Sequence, residues 1–448
     1  MEEIQGWTQS DVDQLVRAAA WAIYRPDRAR ALAEVAVRDT GLGNVEDKVA
    51  KNQRKTLGCL RDLLMMPSVG VVDSDPASGL TVWAKPVGVV GAITPSTNPG
   101  ATPASNTMMA LNGGNSIVIS PSPAGWTTAA SYVENVQEEL RAIGAPVDLV
   151  QCLDANVSIE RTQLLMKHSD FVVATGAQHN IRDAYLSGTP AFGVGVGNVP
   201  VIIDSSADLE GAAKLIAASK TFDNSTSCSA ENSLIVVGEI FGEFLTALEG
   251  HGAYIATGAE VDTIRSVLFP NGSINRDLIG RSIDVLAKHF ELDDRIGDRR
   301  FVAIGHELDP EDPLVGEKLS LVCNIFRAKD FTQAAAMAQQ ILDVQGVGHS
   351  VGIHTTNRSH SEWLAGNLAV GRVIVNQAHA FGTGGSFDNG LPFSLSMGCG
   401  TWQGNSSSEN LNGSHFINTT RLVEVIDVAE PSPASLFSEL PAYTEAFV

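Results

Sequence analysis

Basic residues are scarce in this sequence: 30 Lys and Arg stand against 51 Asp and Glu, a formal net charge of −21. A field of that sign repels phosphate backbones over most of the surface and argues against a nucleic-acid partner. A phosphate-bearing cofactor stays open, because helix N-termini and backbone amides grip such groups locally. Cysteine is sparse too. The five, at 59, 152, 228, 323 and 399, show no paired spacing, which excludes a disulfide framework or a zinc pattern and suits reduced thiols. No metal site is expected. No apolar run approaches the ~18 residues needed to cross a bilayer, so no membrane association is expected. The opening MEEIQGWTQSDVDQLV lacks the basic, apolar and small-residue succession of an export signal, which points to a cytoplasmic location. No internal repeat, low-complexity tract or obvious flexible linker stands out.

What is present fits a globular α/β protein: 44% hydrophobic and 18% charged residues, with Gly abundant and aromatics at 6%. At about 150 residues per domain the length implies roughly two to three domains. Residues 9 to 36 read as helices, with Val12, Leu15, Val16, Ala19 and Ile23 on one face. TGLGNVEDKVAKNQRKT (40 to 56) is a Gly-broken turn followed by a charged helix that runs through Leu60, Leu63 and Leu64. Two β-rich runs around DPASG then predict a hairpin leading into the strand VGVVGAI. From residue 87, strand-like and helical runs alternate, as in a parallel sheet with crossover helices. A second alternating set begins after about residue 220, so two α/β lobes leave a cleft between them.

Three segments carry candidate chemistry. In TFDNSTSCSAENSLIV, Cys228 is flanked by polar residues, unlike Cys323 in LVCNIF; such a thiol becomes a nucleophile when dipoles or cations stabilise its thiolate, and otherwise is a small buried residue. In GAITPSTNPGATPASN, Asn98 lies between prolines in a loop directly after a strand; its amide can donate to an oxyanion, or simply make a turn. In ATGAQHN and SGTPAFGVGVGNVP, Gly176, Gly193, Gly195 and Gly197 permit close backbone approach to a ligand, without the spacing of a dinucleotide fingerprint.

Taken together, these segments resemble the CoA-acylating branch of the aldehyde dehydrogenase superfamily. The likeness runs from about residue 35 to 425 through TGLGNVEDKVAKN, KPVGVVGAITPSTNP, ALNGGNSIVISPSP, the ATG of 174 to 176, GVGNVP, SCSAENS, EKLS, GVGHS and GNSSSEN. It implies an aldehyde dehydrogenase-like α/β fold: a Rossmann-type cofactor domain over 1–220 with an oligomerisation hairpin near 69–84, an α/β catalytic domain over 221–409, and a C-terminal return over 410–448. It also implies a homodimer or homotetramer. By the same resemblance, Cys228 is the nucleophile, Asn98 and the Cys228 N–H hold the oxyanion, and His349 of GVGHS is a candidate proton carrier. NAD or NADP would be held by Thr94, Pro95, Ser120, Pro121, Thr175, Gly176, Gly195, Gly197 and Glu317, with coenzyme A as co-substrate. Ser120 and Pro121 stand where many hydrolytic members have Lys-Pro, and Pro123 where an acid often binds the ribose diol, so the choice between NAD and NADP stays open.

Hydrolytic members carry a water-activating acid in a segment that here reads VGVGNVP, with Val194 near its place. Its absence points to a thiol, rather than water, as the group that resolves the acyl-enzyme. The expected substrate is a small polar aldehyde, sulfoacetaldehyde first, with acetaldehyde, propionaldehyde or succinate semialdehyde as alternatives. A hydrolytic dehydrogenase and a non-catalytic scaffold of the same fold are the competing readings. The arginine that would meet an anionic substrate, whether Arg182, Arg372 or another, cannot be placed from sequence.

Overall fold

The computed structural model describes Ile4 and residues 6–440. The chain begins with three helices, α1 (Gln9–Tyr24), α2 (Pro26–Thr40) and α3 (Val45–Leu64). Thr8 caps α1 through a capping box with Asp11, and Asn44 caps α3 by accepting the Asp47 N–H. The hairpin follows as β1 (Gly70–Asp75) and β2 (Leu80–Pro86), and β15 (Ile417–Val423) returns to pair antiparallel with β2. These three strands form a small separate sheet.

The first lobe is built on β3 (Val89–Thr94), β4 (Ser116–Pro121), β5 (Val150–Cys152), β6 (Phe171–Ala174) and β7 (Ala191–Gly193). All pair in parallel in the order β5-β4-β3-β6-β7. The order reverses between β3 and β6, so a crevice opens beyond the carboxyl ends of those two strands, where α/β sheets bind ligands. Thr94 and Pro95 leave β3 there, and Thr175 and Gly176 leave β6 there. The helix α4 (Ala101–Asn112) follows the β3 loop and is buried along its whole length.

The second lobe is a seven-stranded parallel sheet. Its strands are β8 (Val199–Ile203), β9 (Glu231–Val237), β10 (Ala253–Ala256), β11 (Phe301–Gly305), β12 (Val322–Ala328), β13 (Val351–His354) and β14 (Val373–Val375), in the order β10-β11-β12-β9-β8-β13-β14. This corrects the expected boundary at 220. The chain enters the second sheet at β8, and the helix Leu209–Thr221 packs its Ala212, Ala213 and Ile216 into that lobe's core. A fully buried parallel strand such as VPVII has no polar face to show which sheet it joins; only its register with β9 decides. Of the expected C-terminal return, residues 410–440 are described and 441–448 lie outside the described residues.

Candidate active site

Cys228 lies three residues before β9, on the wall of a cavity of about 720 Å³ between the lobes. The loop that delivers it is unusual: Asp223, Asn224 and Ser225 have φ of 50°, 51° and 60° in succession. Left-handed backbone costs an L residue roughly 1–2 kcal/mol, least for Asn and Asp, so the bonds around this loop must offset it. Asp223 is fully buried. Its carboxylate accepts from Lys48, Lys51, the Thr226 hydroxyl and the Asn44 N–H, and its own N–H donates to Asp47 at 2.7 Å. Burial pushes this carboxyl up, but Lys51 and Lys48 outweigh it and leave Asp223 below the usual range. The first turns of α3 thus strap down the cysteine loop. A Cβ on Gly43 would sit 1.8 Å from the Asp223 carboxylate, so the TGLGN turn has no room for a side chain there.

Lys51 also reaches Asn98, donating to its Oδ1 at 2.8 Å. That bond settles which way the amide faces: Oδ1 is occupied, and Nδ2 has only a long 3.5 Å contact with Thr97, leaving a donor for the cavity. His349 places Nε2 3.6 Å from the Cys228 Sγ, and its Nδ1 lies 2.7 Å from the Ser350 hydroxyl. With Nδ1–H donated to Ser350, Nε2 can accept the thiol proton. Burial, then Arg372 and His379, holds His349 well below its ordinary value, so the ring is neutral. Burial, with Glu317 adding to it, pushes the Cys228 thiol up to about 12. Such a sulfur rests protonated and needs a base at the moment of attack.

The residues expected to hold a nicotinamide cofactor divide. Thr94, Pro95, Thr175, Gly176, Gly195, Gly197 and Glu317 all line the cavity with Cys228, Asn98 and His349. Ser120 and Pro121 do not. The Ser120 hydroxyl is buried against Thr162 at 2.8 Å, and Ser122, beyond the strand's end, lines the cavity. Thr94 Oγ1, Ser122 Oγ and Glu317 Oε1 are buried without a protein partner, which fits a ligand rich in hydroxyl and amide groups. A Cβ on Gly197 would meet the Cys228 carbonyl at 2.1 Å, so this glycine is required by close approach of the cysteine loop.

Several residues that sequence reasoning missed hold these loops together. Gln403 accepts from the Val196 N–H at 2.8 Å and donates to the carbonyls of Val196 and Val347, joining GVGNVP to GVGHS. Asn232 donates to Asn198 and to the carbonyls of Val315 and Gly316, and accepts from Lys318, joining SCSAENS to GVGNVP and EKLS. GVGNVP, GVGHS, SCSAENS and EKLS are therefore one hydrogen-bonded unit. Neither arginine considered for an anionic substrate is free to meet one: Arg372 donates to the carbonyls of His349, Gly398 and Ser408, and Arg182 is exposed outside the cavity lining.

Two parallel α/β lobes with a thiol, an imidazole and an amide meeting in their cleft describe a dehydrogenase of covalent type, and the comparisons agree. The chain belongs to the aldehyde dehydrogenase family, whose profile matches residues 2–266, and within it groups with the CoA-acylating members. It is 48% identical over 433 residues to a sulfoacetaldehyde dehydrogenase (acylating) of Cupriavidus necator, an alignment spanning 96% of this chain and 88% of that one. An acetylating aldehyde dehydrogenase from Geobacillus thermoglucosidasius superposes with a TM-score of 0.91 at 34% identity, covering 96% of this chain and 95% of the other. A propionaldehyde dehydrogenase from Rhodopseudomonas palustris, solved with bound CoA and an acylated cysteine, gives 0.84 at 25% identity, covering 95% and 94%.

Proposed function

We propose that this protein oxidises a small anionic aldehyde, sulfoacetaldehyde first, to its CoA thioester with reduction of NAD or NADP, through an acyl group carried on Cys228. The observation that carries this reading is the contact between the Cys228 Sγ and a neutral His349 Nε2 on the wall of the cleft. In the first step Sγ attacks the carbonyl carbon while Nε2 takes the thiol proton, which a thiol at about pKa 12 requires. The Asn98 Nδ2–H, oriented through Lys51, and the Cys228 backbone N–H are the donors for the oxyanion. A bound nicotinamide supplies the hydride acceptor; Thr94, Pro95, Thr175, Gly176 and Glu317 are the residues to hold it. Collapse of the oxyanion leaves a thioester on Cys228. Nε2 releases its first proton to solvent, then takes the proton of the CoA thiol as that sulfur attacks the thioester, and returns it to the departing Cys228 sulfur.

One feature favours hydrolysis: Glu317 is an acid on the cavity wall. Burial, against the pull of Lys220 and Lys318, lifts it to about 8, so at neutral pH it is mostly protonated and a poor base for water. The test is turnover of sulfoacetaldehyde with NAD or NADP, with and without CoA. Equal amounts of acyl-CoA and reduced cofactor are expected with CoA, and at most one burst of reduced cofactor per Cys228 without it. Cys228→Ala should abolish both. Sustained turnover without CoA establishes the hydrolytic reading instead.

A further inference from the structure

In a chain with a net charge of −21, the cavity around Cys228 is lined by Lys51, Arg54, Lys55 and Arg276 and by a single acid, Glu317. Three of these cations come from one face of α3, at positions i, i+3 and i+4. Lys51 is committed to Asp223 and Asn98. Arg54 and Lys55 are not paired with any carboxylate among the described residues. Arg54 donates to the Ser386 hydroxyl at 2.8 Å and lies over the rings of Phe381 and Phe387, leaving most of its five N–H groups unused. Lys55 donates to the carbonyls of Gly384 and Gly385 at 2.8 and 3.3 Å. Burial, then Arg54 and Lys51, pulls Lys55 down to about 7, a cost that an arriving anion would reverse.

Cations lining a cleft without counter-charges are set for an anion. Position along α3 indicates which one. The row begins at Lys51, which holds the Asn98 amide, and ends one turn later at Lys55, about 6 Å further along the axis. In sulfoacetaldehyde the sulfur lies two bonds from the carbonyl carbon, so an aldehyde whose oxygen meets Asn98 has its charged end within the span of this row. Of the nicotinamide-binding candidates, Thr94, Pro95, Thr175 and Gly176 stand at the ends of β3 and β6, and none of the candidates is on α3.

We propose that Arg54 and Lys55 form the anion subsite that selects short aldehydes bearing a sulfonate, and less well a carboxylate, at the end opposite the carbonyl. The inference rests on the acylating reaction proposed above. Phosphates of CoA or of the nicotinamide cofactor share the same chemistry, so the experiment separates the sources.

The enzyme and its Arg54→Met and Lys55→Met variants are assayed with CoA and cofactor on two aldehydes: sulfoacetaldehyde and 3,3-dimethylbutanal, in which a tert-butyl group replaces the sulfonate at similar size. Each variant should lose about 100-fold in kcat/KM on sulfoacetaldehyde, mostly through KM, and change by less than about threefold on the neutral aldehyde. Arg54→Lys and Lys55→Arg should recover most of the loss. Arg54 stands more open than Lys55, so its variant carries the test if Lys55→Met does not fold. Equal losses on both aldehydes, or a rise confined to the KM of CoA or cofactor, overturn the subsite. Wild-type enzyme that acylates both aldehydes with no preference for charge overturns it too, and leaves the acylating reaction standing. Wild-type enzyme with no CoA-dependent product from either aldehyde overturns the reaction itself, and the subsite with it.

Discussion

A thiol held at about pKa 12 has roughly one part in 10⁵ as thiolate at neutral pH, so Cys228 is quiet until something removes its proton. The shift is upward and comes first from burial, which penalises the anion. Deprotonation is therefore favoured only as pH approaches 12. The neutral His349 has its own value depressed by burial, so it gives no inflection near 6.5. This has a consequence for the free enzyme. Alkylation of Cys228 by iodoacetamide, followed on the peptide that carries it, should rise about tenfold per pH unit from pH 7 to pH 10. A plateau below about pH 9 would show a stabilised thiolate and remove the need for His349 as base.

At the level of elements, α3 has two tasks: its first turns strap the Cys228 loop through Asp223, and its middle turn orients Asn98 through Lys51. Lys51 is thus a positioning residue, acting on Asn98 directly and on the Cys228 loop through Asp223. Asn98→Ala is expected to lower kcat by about 10²-fold, the usual scale for one oxyanion donor. Lys51→Met should lower kcat by about tenfold or more. The double variant should be worse than Asn98→Ala alone but better than the product of the two losses, because only the part of the Lys51 effect that passes through Asn98 is silent once that amide is gone. Fully additive losses would mean that Lys51 does not act through Asn98. That Asn98, Cys228 and His349 are candidates was legible in the sequence because each stands in a local motif, and the fold brings the three to one cavity. The strap was not: Lys51 and Asp223 are 172 residues apart, and only the fold brings them together. Ser120 and Pro121 end β4 just short of the cavity, which Ser122 lines, and where a strand stops relative to the cleft is not written in the motif. The parallel alternation of both lobes was readable, while β8 was assigned to the wrong sheet because buried parallel strands look alike.

Over the whole molecule, the sheet formed by β1, β2 and β15 stands apart from both lobes and leaves two strand edges unpaired. Apolar side chains sit on it and beyond it in the open: Val71 and Leu422 are half exposed, Val423 more so, and Val425 and Val428 follow on the same segment. Unpaired edges with exposed valines are templates for association, and a soluble monomer normally protects them. The C-terminal return is therefore expected to pair with another copy of this chain, with the hairpin as its base. Light scattering should give a mass that is a multiple of 47.3 kDa. Val423→Glu combined with Val425→Lys should shift it toward the single-chain value without removing the cavity residues, which lie on other elements. A monomeric wild type, or a variant whose mass does not change, would reject this sheet as the assembly surface. Activity retained by the dissociated variant would show that each cleft, with its cations drawn together against a negative exterior, is complete within one chain.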